Sequence, residues 1–178
     1  MFAKDHLCVK KIVVPGARCP RLLEEAMRLH QTHAFEEVIV HVGVNYMHNP
    51  DYCNFSASEE IKNLLSALKF QFGCRITWSP ILPFVASDEQ SYENRDAPLS
   101  DHTLEMMRSS SFINNEVYQH CSRNMIDSML CPEFLMDPFD PYPNKFLLAK
   151  DGTHLNRRGI VAMEHALAEH ISFKFKTF

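Results

Sequence analysis

Residues 38–45 read Val-Ile-Val-His-Val-Gly-Val-Asn, and this stretch decides the fold class. Its first five residues are nearly all β-branched and apolar, which predicts a strand whose two faces are both covered. Gly43 then lets the chain turn sharply off the strand, and Asn45 follows two residues later. Strands of this kind belong to parallel sheets with helices on each side.

Strands and helices alternate on both sides of this stretch. The apolar runs predict strands over residues 12–15, 38–42, 75–79 and 125–130. Helical spacing of apolar residues predicts helices over residues 20–33, 56–72, 101–122 and 157–171. The second of these helices begins at a capping box formed by Ser56 and Glu59, and Gly73 stops it. The alternation predicts one three-layer α/β domain over residues 1–178, with a surface loop at 84–99 and an irregular stretch at 131–150.

The composition excludes several classes of protein. The net charge of −4 gives no basic excess, so we expect no nucleic-acid partner. No apolar run reaches the roughly 18 to 20 residues of a membrane span. The N-terminal MFAKDHLCVKK has no apolar core of a secretory signal, which predicts an intracellular, cytoplasmic protein. In that compartment the six cysteines would be reduced thiols.

Ligand sites in open parallel sheets lie beyond the carboxyl ends of the strands. Gly16, Gly43, Asn45 and residues 79–84 all follow predicted strands, so we expect them to share one edge of the sheet. Asn45 can offer its amide, and Gly16 its backbone N–H, as hydrogen-bond donors to a developing oxyanion.

The stretch Asp151-Gly152-Thr153-His154 carries the strongest chemical signal. A carboxylate three residues before a histidine can fold back onto Nδ1 of the imidazole and leave Nε2 as a base. This arrangement is the base half of a hydrolytic triad.

Each short pattern also has a plain structural interpretation. Asp151-Gly152 can be an ordinary turn beside a helix start, and Gly16 and Asn45 can be turn residues. Histidine pairs such as His30 and His33 lack the further ligands of a structural zinc site, so we predict no metal. The sequence has neither a G-x-G-x-x-G motif nor a P-loop, which disfavours a domain that binds a nucleotide or flavin cofactor.

Together these patterns resemble the SGNH (GDSL-type) hydrolase superfamily over about residues 11–170. Residues 13–17 resemble the block that carries the oxyanion glycine, and residues 38–45 resemble the block written G-x-N-D. Asp151 to Asn156, with Gly159, resembles the D-x-x-H block, and residues 78–83 resemble a strand that ends in a similar Ile-Leu-Pro turn. The nearest subgroup is the short SGNH-like domains of animal genomes, including those linked to non-LTR retrotransposons.

The resemblance implies a flavodoxin-like parallel sheet and the hydrolysis of carboxylic esters through a serine acyl-enzyme. It implies that His154 is the general base and Asp151 its orienter. Asn45 and Gly16 would be the oxyanion donors, the substrate would be a small ester, and no cofactor would be required.

The sequence departs from the family at its nucleophile. The fifteen residues before Gly16 contain no serine, so the G-D-S block is absent from the given chain. Tyr46 stands where the family usually has aspartate, which puts the hydrogen bonding of the oxyanion loop in question. Cys8 and Cys19 are the nearest thiols, and neither is in a good position to replace the serine.

The absent block also removes a strand from the centre of the predicted sheet. Either the strands at 12–15 and 38–42 pair directly, or another segment or chain fills the gap. A homodimer through the exposed strand edges is one such arrangement. We favour a third interpretation, in which the sequence is a degenerate copy or a fragment of a longer gene product that supplies the missing strand.

The sequence leaves two candidate functions open. The chain is an ester hydrolase domain that is incomplete and inactive as given, or it is a non-catalytic binding or assembly module that reuses the fold.

Overall fold

The computed structural model describes residues 10–11, 13–49, 52–85, 99–131, 134–137 and 140–175. Three parallel strands form its central sheet in the order β1 (Glu37–His41), β2 (Arg75–Ser79) and β3 (Asp127–Ser128). The helices that surround it are α1 (Cys19–His30), α2 (Val44–Met47), α3 (Asn54–Phe72), α4 (Asp101–Arg123) and α5 (Arg157–Phe175). A small antiparallel pair, β4 (Leu135–Asp137) and β5 (Asp140–Pro143), lies between β3 and α5.

The alternation of side chains along β2 shows that helices cover both faces of the sheet. Ile76 and Trp78 are buried in the main core with Ile61 and Leu65 of α3. Thr77 points to the opposite face, where its hydroxyl is 3.3 Å from Nε2 of His170 on α5. The predicted α/β fold with a covered parallel sheet is therefore confirmed.

Helix α3 begins two residues earlier than its sequence predicts. The thiol of Cys53 caps the helix by accepting a hydrogen bond from the backbone N–H of Ser56, so Ser56 lies inside the first turn instead of at the cap. The other end of the helix agrees with the prediction, because Gly73 takes a left-handed conformation directly after Phe72.

The prediction of a strand over residues 12–15 is wrong for the part that the structure describes. Val13 and Val14 belong to no strand, and Pro15 and Gly16 form a turn in which Ala17 N–H donates to the carbonyl of Val14. A strand exists only when a neighbour satisfies its backbone groups, and β1 does not pair with this segment. Ile12 itself lies outside the described residues.

Three further segments differ from the predictions. The last strand of the sheet is shorter than predicted, since only Asp127 and Ser128 pair with β2. The stretch at 131–150, predicted to be irregular, contains β4, β5 and a 3-10 turn at Lys145–Leu147. The predicted surface loop at 84–99 begins in the core, because Phe84 and Val85 are buried, and its residues 86–98 lie outside the described residues.

No helix in the described part of the chain is both long enough and apolar enough to span a bilayer.

A buried polar cluster fastens α5 to the amino-terminal end of the sheet. The side chains of Glu37 and His170 are only 11% and 12% exposed, and Nε2 of His170 is 3.1 Å from a carboxylate oxygen of Glu37. Thr77 donates its hydroxyl to the same oxygen. Burial makes each of these hydrogen bonds costly to leave unmade.

We therefore expect His170→Ala to lower the free energy of unfolding by about 1–3 kcal/mol, because the buried carboxylate loses a partner. Urea unfolding followed by circular dichroism measures the change. His165→Ala is the matched control, since His165 lies on the same helix with its side chain 70% exposed. Equal losses for the two variants would show that the buried cluster does not hold the helix.

Candidate active site

Asp151 and His154 form a closed local unit directly before α5. One carboxylate oxygen of Asp151 accepts hydrogen bonds of 2.9 Å from the backbone N–H groups of Thr153 and His154. The other oxygen is 2.8 Å from Nδ1 of the His154 ring. The backbone hydrogen bond from His154 is the largest of the effects that lower the pKa of Asp151, and the His154 side chain acts in the same direction. The carboxylate is therefore charged at neutral pH and can hold the Nδ1–H tautomer of the ring.

A close backbone approach fixes the turn that carries this pair. The carbonyl of Gly152 accepts a hydrogen bond of 2.9 Å from the N–H of Val85. A Cβ atom at position 152 would lie 2.5 Å from the carbonyl oxygen of Val85, and the φ angle there is +71°. Only glycine fits both requirements.

Asn156 fixes the other side of the turn. Its side-chain oxygen accepts from the N–H groups of Arg158 and Gly159, which caps α5. Its amide donates to the carbonyls of Phe146 and Leu148, each at 2.8 Å. One side chain therefore joins the helix start to the chain segment that precedes the Asp151 turn.

His154 opens onto a groove at the carboxyl edge of the sheet. The groove has a volume of about 220 Å³, and Val44, Leu82, Pro83, Leu148 and Leu155 provide its apolar wall. The His154 side chain is 81% exposed, so Nε2 can be reached from solvent.

A second histidine, His41, borders the same groove, and the sequence analysis did not identify it as a site residue. It ends β1, and its Nδ1 atom is 3.1 Å from the hydroxyl of Ser79, its register partner on β2. The indication in the sequence is the alternation of side chains along the strand. This alternation places His41 on the same face as Glu37 and Ile39, which is the face that α5 covers.

The two predicted oxyanion donors lie close to each other. The side-chain amide of Asn45 donates to the carbonyl of Ala17 at 2.9 Å, which brings it next to Gly16. Pro15-Gly16 forms a turn whose φ of +66° favours glycine at the second position. The amide of Asn45 has a second N–H that can serve another acceptor. Val44, the neighbour of Asn45, lines the groove with His154.

Tyr46 has a structural role of its own in this chain. The residue is 2% exposed, and its hydroxyl accepts a hydrogen bond of 2.9 Å from the backbone N–H of Cys19, the first residue of α1. The same hydroxyl donates to a carboxylate oxygen of Glu60 on α3 at 2.6 Å. Arg18, which precedes the helix, provides no side-chain cap, so Tyr46 satisfies one of the N–H groups that a helix start leaves without a partner.

The thiols differ in exposure and in pKa, and burial makes Cys19 a poor replacement for a serine nucleophile. It is 3% exposed, and burial raises its pKa to about 11. Cys121 is also buried, with its pKa raised to about 11 for the same reason. Cys8 lies outside the described residues. Cys53 is exposed, and its hydrogen bond with the Ser56 side chain lowers the pKa of its thiol.

A second cavity, of about 570 Å³, lies between the loop after α2 and the first turns of α3 and α4. His48, Cys53, His102 and Glu105 are among its lining residues. It contains neither residue of the Asp151–His154 pair. No group of three or more potential metal ligands occurs in the described residues.

The fold is shared with several solved structures of proteins described as GDSL-like lipases or acylhydrolases. A GDSL-like lipase from Bacteroides thetaiotaomicron matches with a TM-score of 0.62 and 16% identity, over 89% of this chain and 73% of that one. A protein described as an acylhydrolase from Bacteroides fragilis matches with a TM-score of 0.66 and 13% identity, over 89% and 72%. A GDSL-like lipase from Parabacteroides merdae matches at 0.64 and 14%, over 86% and 68%. The chain therefore shares the α/β fold of these proteins, in agreement with the fold that its sequence predicts.

No protein-family model matches the chain, and no curated protein sequence does either. The subgroup of short animal domains thus stays a prediction.

We expect Tyr46→Phe to lower the free energy of unfolding by about 1–3 kcal/mol, because a buried N–H and a carboxylate both lose their partner. Chemical unfolding measures the effect. Tyr118→Phe is the control, since that ring is 54% exposed. A loss no larger than that of the control would contradict the role of the hydroxyl.

We expect iodoacetamide at neutral pH to modify Cys53 at least about tenfold faster than Cys19 or Cys121, because the exposed thiol forms thiolate more easily. Mass spectrometry of peptides from the native protein, alkylated for increasing times, gives the three rates. In denaturant the three rates should converge. Rapid alkylation of Cys19 in the native chain would contradict its burial.

Proposed function

We propose that this chain is an ester hydrolase domain of the SGNH type in which Asp151 and His154 form the general base. The observation that carries the proposal is the 2.8 Å contact between Asp151 and Nδ1 of His154, at the carboxyl edge of a sheet of this fold. Ligand sites of open parallel sheets lie at this edge.

The chemistry would proceed at Nε2 of His154. This atom would take a proton from a water molecule as the water oxygen attacks the ester carbonyl. The second amide N–H of Asn45 and the backbone N–H of Gly16 would donate to the negative oxygen of the tetrahedral intermediate. His154 would then return the proton to the leaving alcohol while the carbonyl re-forms.

The groove provides the base but no serine or cysteine among its described lining residues. The first serine in the sequence is Ser56, which lies in the first turn of α3. We therefore propose that the given chain, on its own, forms no acyl-enzyme and hydrolyses esters only through attack by water. In that mode the oriented base acts on water, and the oxyanion donors remain as the other catalytic groups.

The second candidate is a non-catalytic binding or assembly module. Tyr46 favours it, because this residue stabilises the helix packing at a position where the hydrolase family usually has aspartate. The exposed Asp151–His154 pair favours the hydrolase, because a binding module has no need of an oriented base.

The hydrolysis of p-nitrophenyl acetate separates the two candidates. We expect the chain to hydrolyse it slowly, without an initial burst, and His154→Ala to reduce the rate above background by about tenfold or more, since a positioned base contributes roughly 10²–10⁴. Asp151→Asn should reduce it too, because the ring loses its orienting acceptor. His165→Ala is the matched control: that imidazole is also exposed and reports ordinary histidine reactivity.

Circular dichroism must show that each variant is folded. Equal rates for wild type and His154→Ala would overturn the proposal and leave the binding module. A covalent adduct with a fluorophosphonate, detected by intact-mass spectrometry, would show that the chain has a nucleophile. It would overturn the proposal that the chain forms no acyl-enzyme.

A further inference from the structure

Two imidazole rings line the small groove at the carboxyl edge of the sheet. His154 lies on the turn before α5, and His41 is the last residue of β1. The groove has a volume of about 220 Å³, which is space for roughly seven water molecules, since each occupies about 30 Å³ in the liquid. A small ester that fills this space therefore lies close to both rings.

A hydrogen bond holds the ring of His41 at its Nδ1 atom. This atom is 3.1 Å from the hydroxyl of Ser79, a residue that is fully buried and does not line the groove. A buried hydroxyl is costly to leave without an acceptor for its hydrogen. Within the described residues this hydroxyl has Nδ1 of His41 as its partner. The hydroxyl is therefore the donor, and Nδ1 is the acceptor.

The other nitrogen of the His41 ring is consequently an N–H donor. A neutral imidazole has one N–H, so an Nδ1 that accepts a hydrogen bond leaves the hydrogen on Nε2. Loss of solvent around the ring holds the pKa of His41 below its ordinary value, so the ring is neutral at neutral pH. His41 therefore brings an N–H to the groove, whereas His154, whose Nδ1 contacts Asp151, brings the lone pair of Nε2.

The groove itself contains few groups that can stabilise a negative oxygen. The two oxyanion donors of the proposed mechanism, Gly16 and Asn45, are not among its described lining residues. Besides His154, the polar side chains of the lining are those of His41 and Thr153. A hydroxyl rotates and can donate or accept, whereas the N–H of a ring held at Nδ1 has a fixed direction. Stabilisation of a developing charge requires donors that are already oriented, which favours His41.

We propose that His41 is an additional oxyanion donor, whose Nε2–H binds the carbonyl oxygen of an ester in the groove. This role rests on the proposed function, because it requires Nε2 of His154 to remove a proton from water. As the water oxygen bonds to the carbonyl carbon, an electron pair of the C=O bond moves onto the carbonyl oxygen, and the hydrogen bond from His41 strengthens. His41 gives up no proton, so its ring is unchanged when the carbonyl re-forms and the alcohol leaves.

Two substitutions of His41 separate this role from a purely structural one. His41→Asn keeps a polar atom close to the Nδ1 position, beside Ser79, and removes the Nε2 donor. His41→Gln reaches the Nε2 position with an amide N–H and gives up the contact with Ser79. The hydrolysis of p-nitrophenyl acetate above background is measured for both variants, after circular dichroism has shown that they are folded. His165→Asn is the matched control, since that ring is exposed on α5.

We expect His41→Asn to lower the rate by about tenfold or more, since the loss of one oxyanion donor costs roughly 10²–10³ in kcat. His41→Gln should retain more of the activity than His41→Asn, and the control should retain all of it. The reverse order of the two His41 variants would show that the ring only supports the strand ends, and it would overturn the proposal. Equal rates for the two variants would overturn it as well.

The tautomers of the two rings are measured in the unsubstituted chain, independently of activity. Long-range ¹H–¹⁵N correlation spectra at neutral pH distinguish the protonated from the unprotonated ring nitrogen. We expect the hydrogen on Nδ1 in His154 and on Nε2 in His41. A hydrogen on Nδ1 of His41 would overturn its role as a donor even if the chain hydrolyses esters. If His154→Ala leaves the rate unchanged, the proposed function itself fails, and the role of His41 fails with it.

Discussion

The hydroxyl group of Tyr46 is the contact on which the amino-terminal part of the structure depends. It holds the first N–H of α1 and a carboxylate of α3 at the same time, while the adjacent Asn45 holds the carbonyl of Ala17. Since residues 13–16 belong to no strand, these two side chains set where the chain enters α1. The position of the turn at Gly16, next to the residue that Asn45 holds, follows from the same contacts.

The base is positioned by a second, separate set of contacts. Asp151 orients the ring of His154 through interactions that span only three residues, and the turn rests on the backbone of Val85. Asn156 then ties the same turn to α5. The two halves of the candidate site are thus built independently, and among the described residues they meet where Val44 and His154 line the same groove.

How well each feature could be predicted depends on whether its cause is local. Strand β2 agrees with the sequence at both ends, and Gly73 ends α3 as predicted, because flanking glycine and proline residues act within a few positions. The contact between Asp151 and His154 was predictable for the same reason.

The prediction of a strand at 12–15 was wrong because strand pairing requires a distant partner, which no local pattern reveals. The start of α3 was misplaced because a cysteine, an unusual cap, precedes Ser56. His41 was missed because the alternation along a strand does not show which helix covers each face or where a groove opens.

Exposed phenylalanine side chains affect the solubility of the folded protein. Phe55, Phe70 and Phe112 are between 45% and 85% exposed, and all lie on α3 or α4, two helices that pack against each other. Aromatic rings on a solvent-facing surface lower solubility and make association sensitive to salt and temperature. With a net charge of only −4, long-range repulsion between molecules is weak. Colloidal stability would therefore be lowest near the isoelectric point of about 6.2.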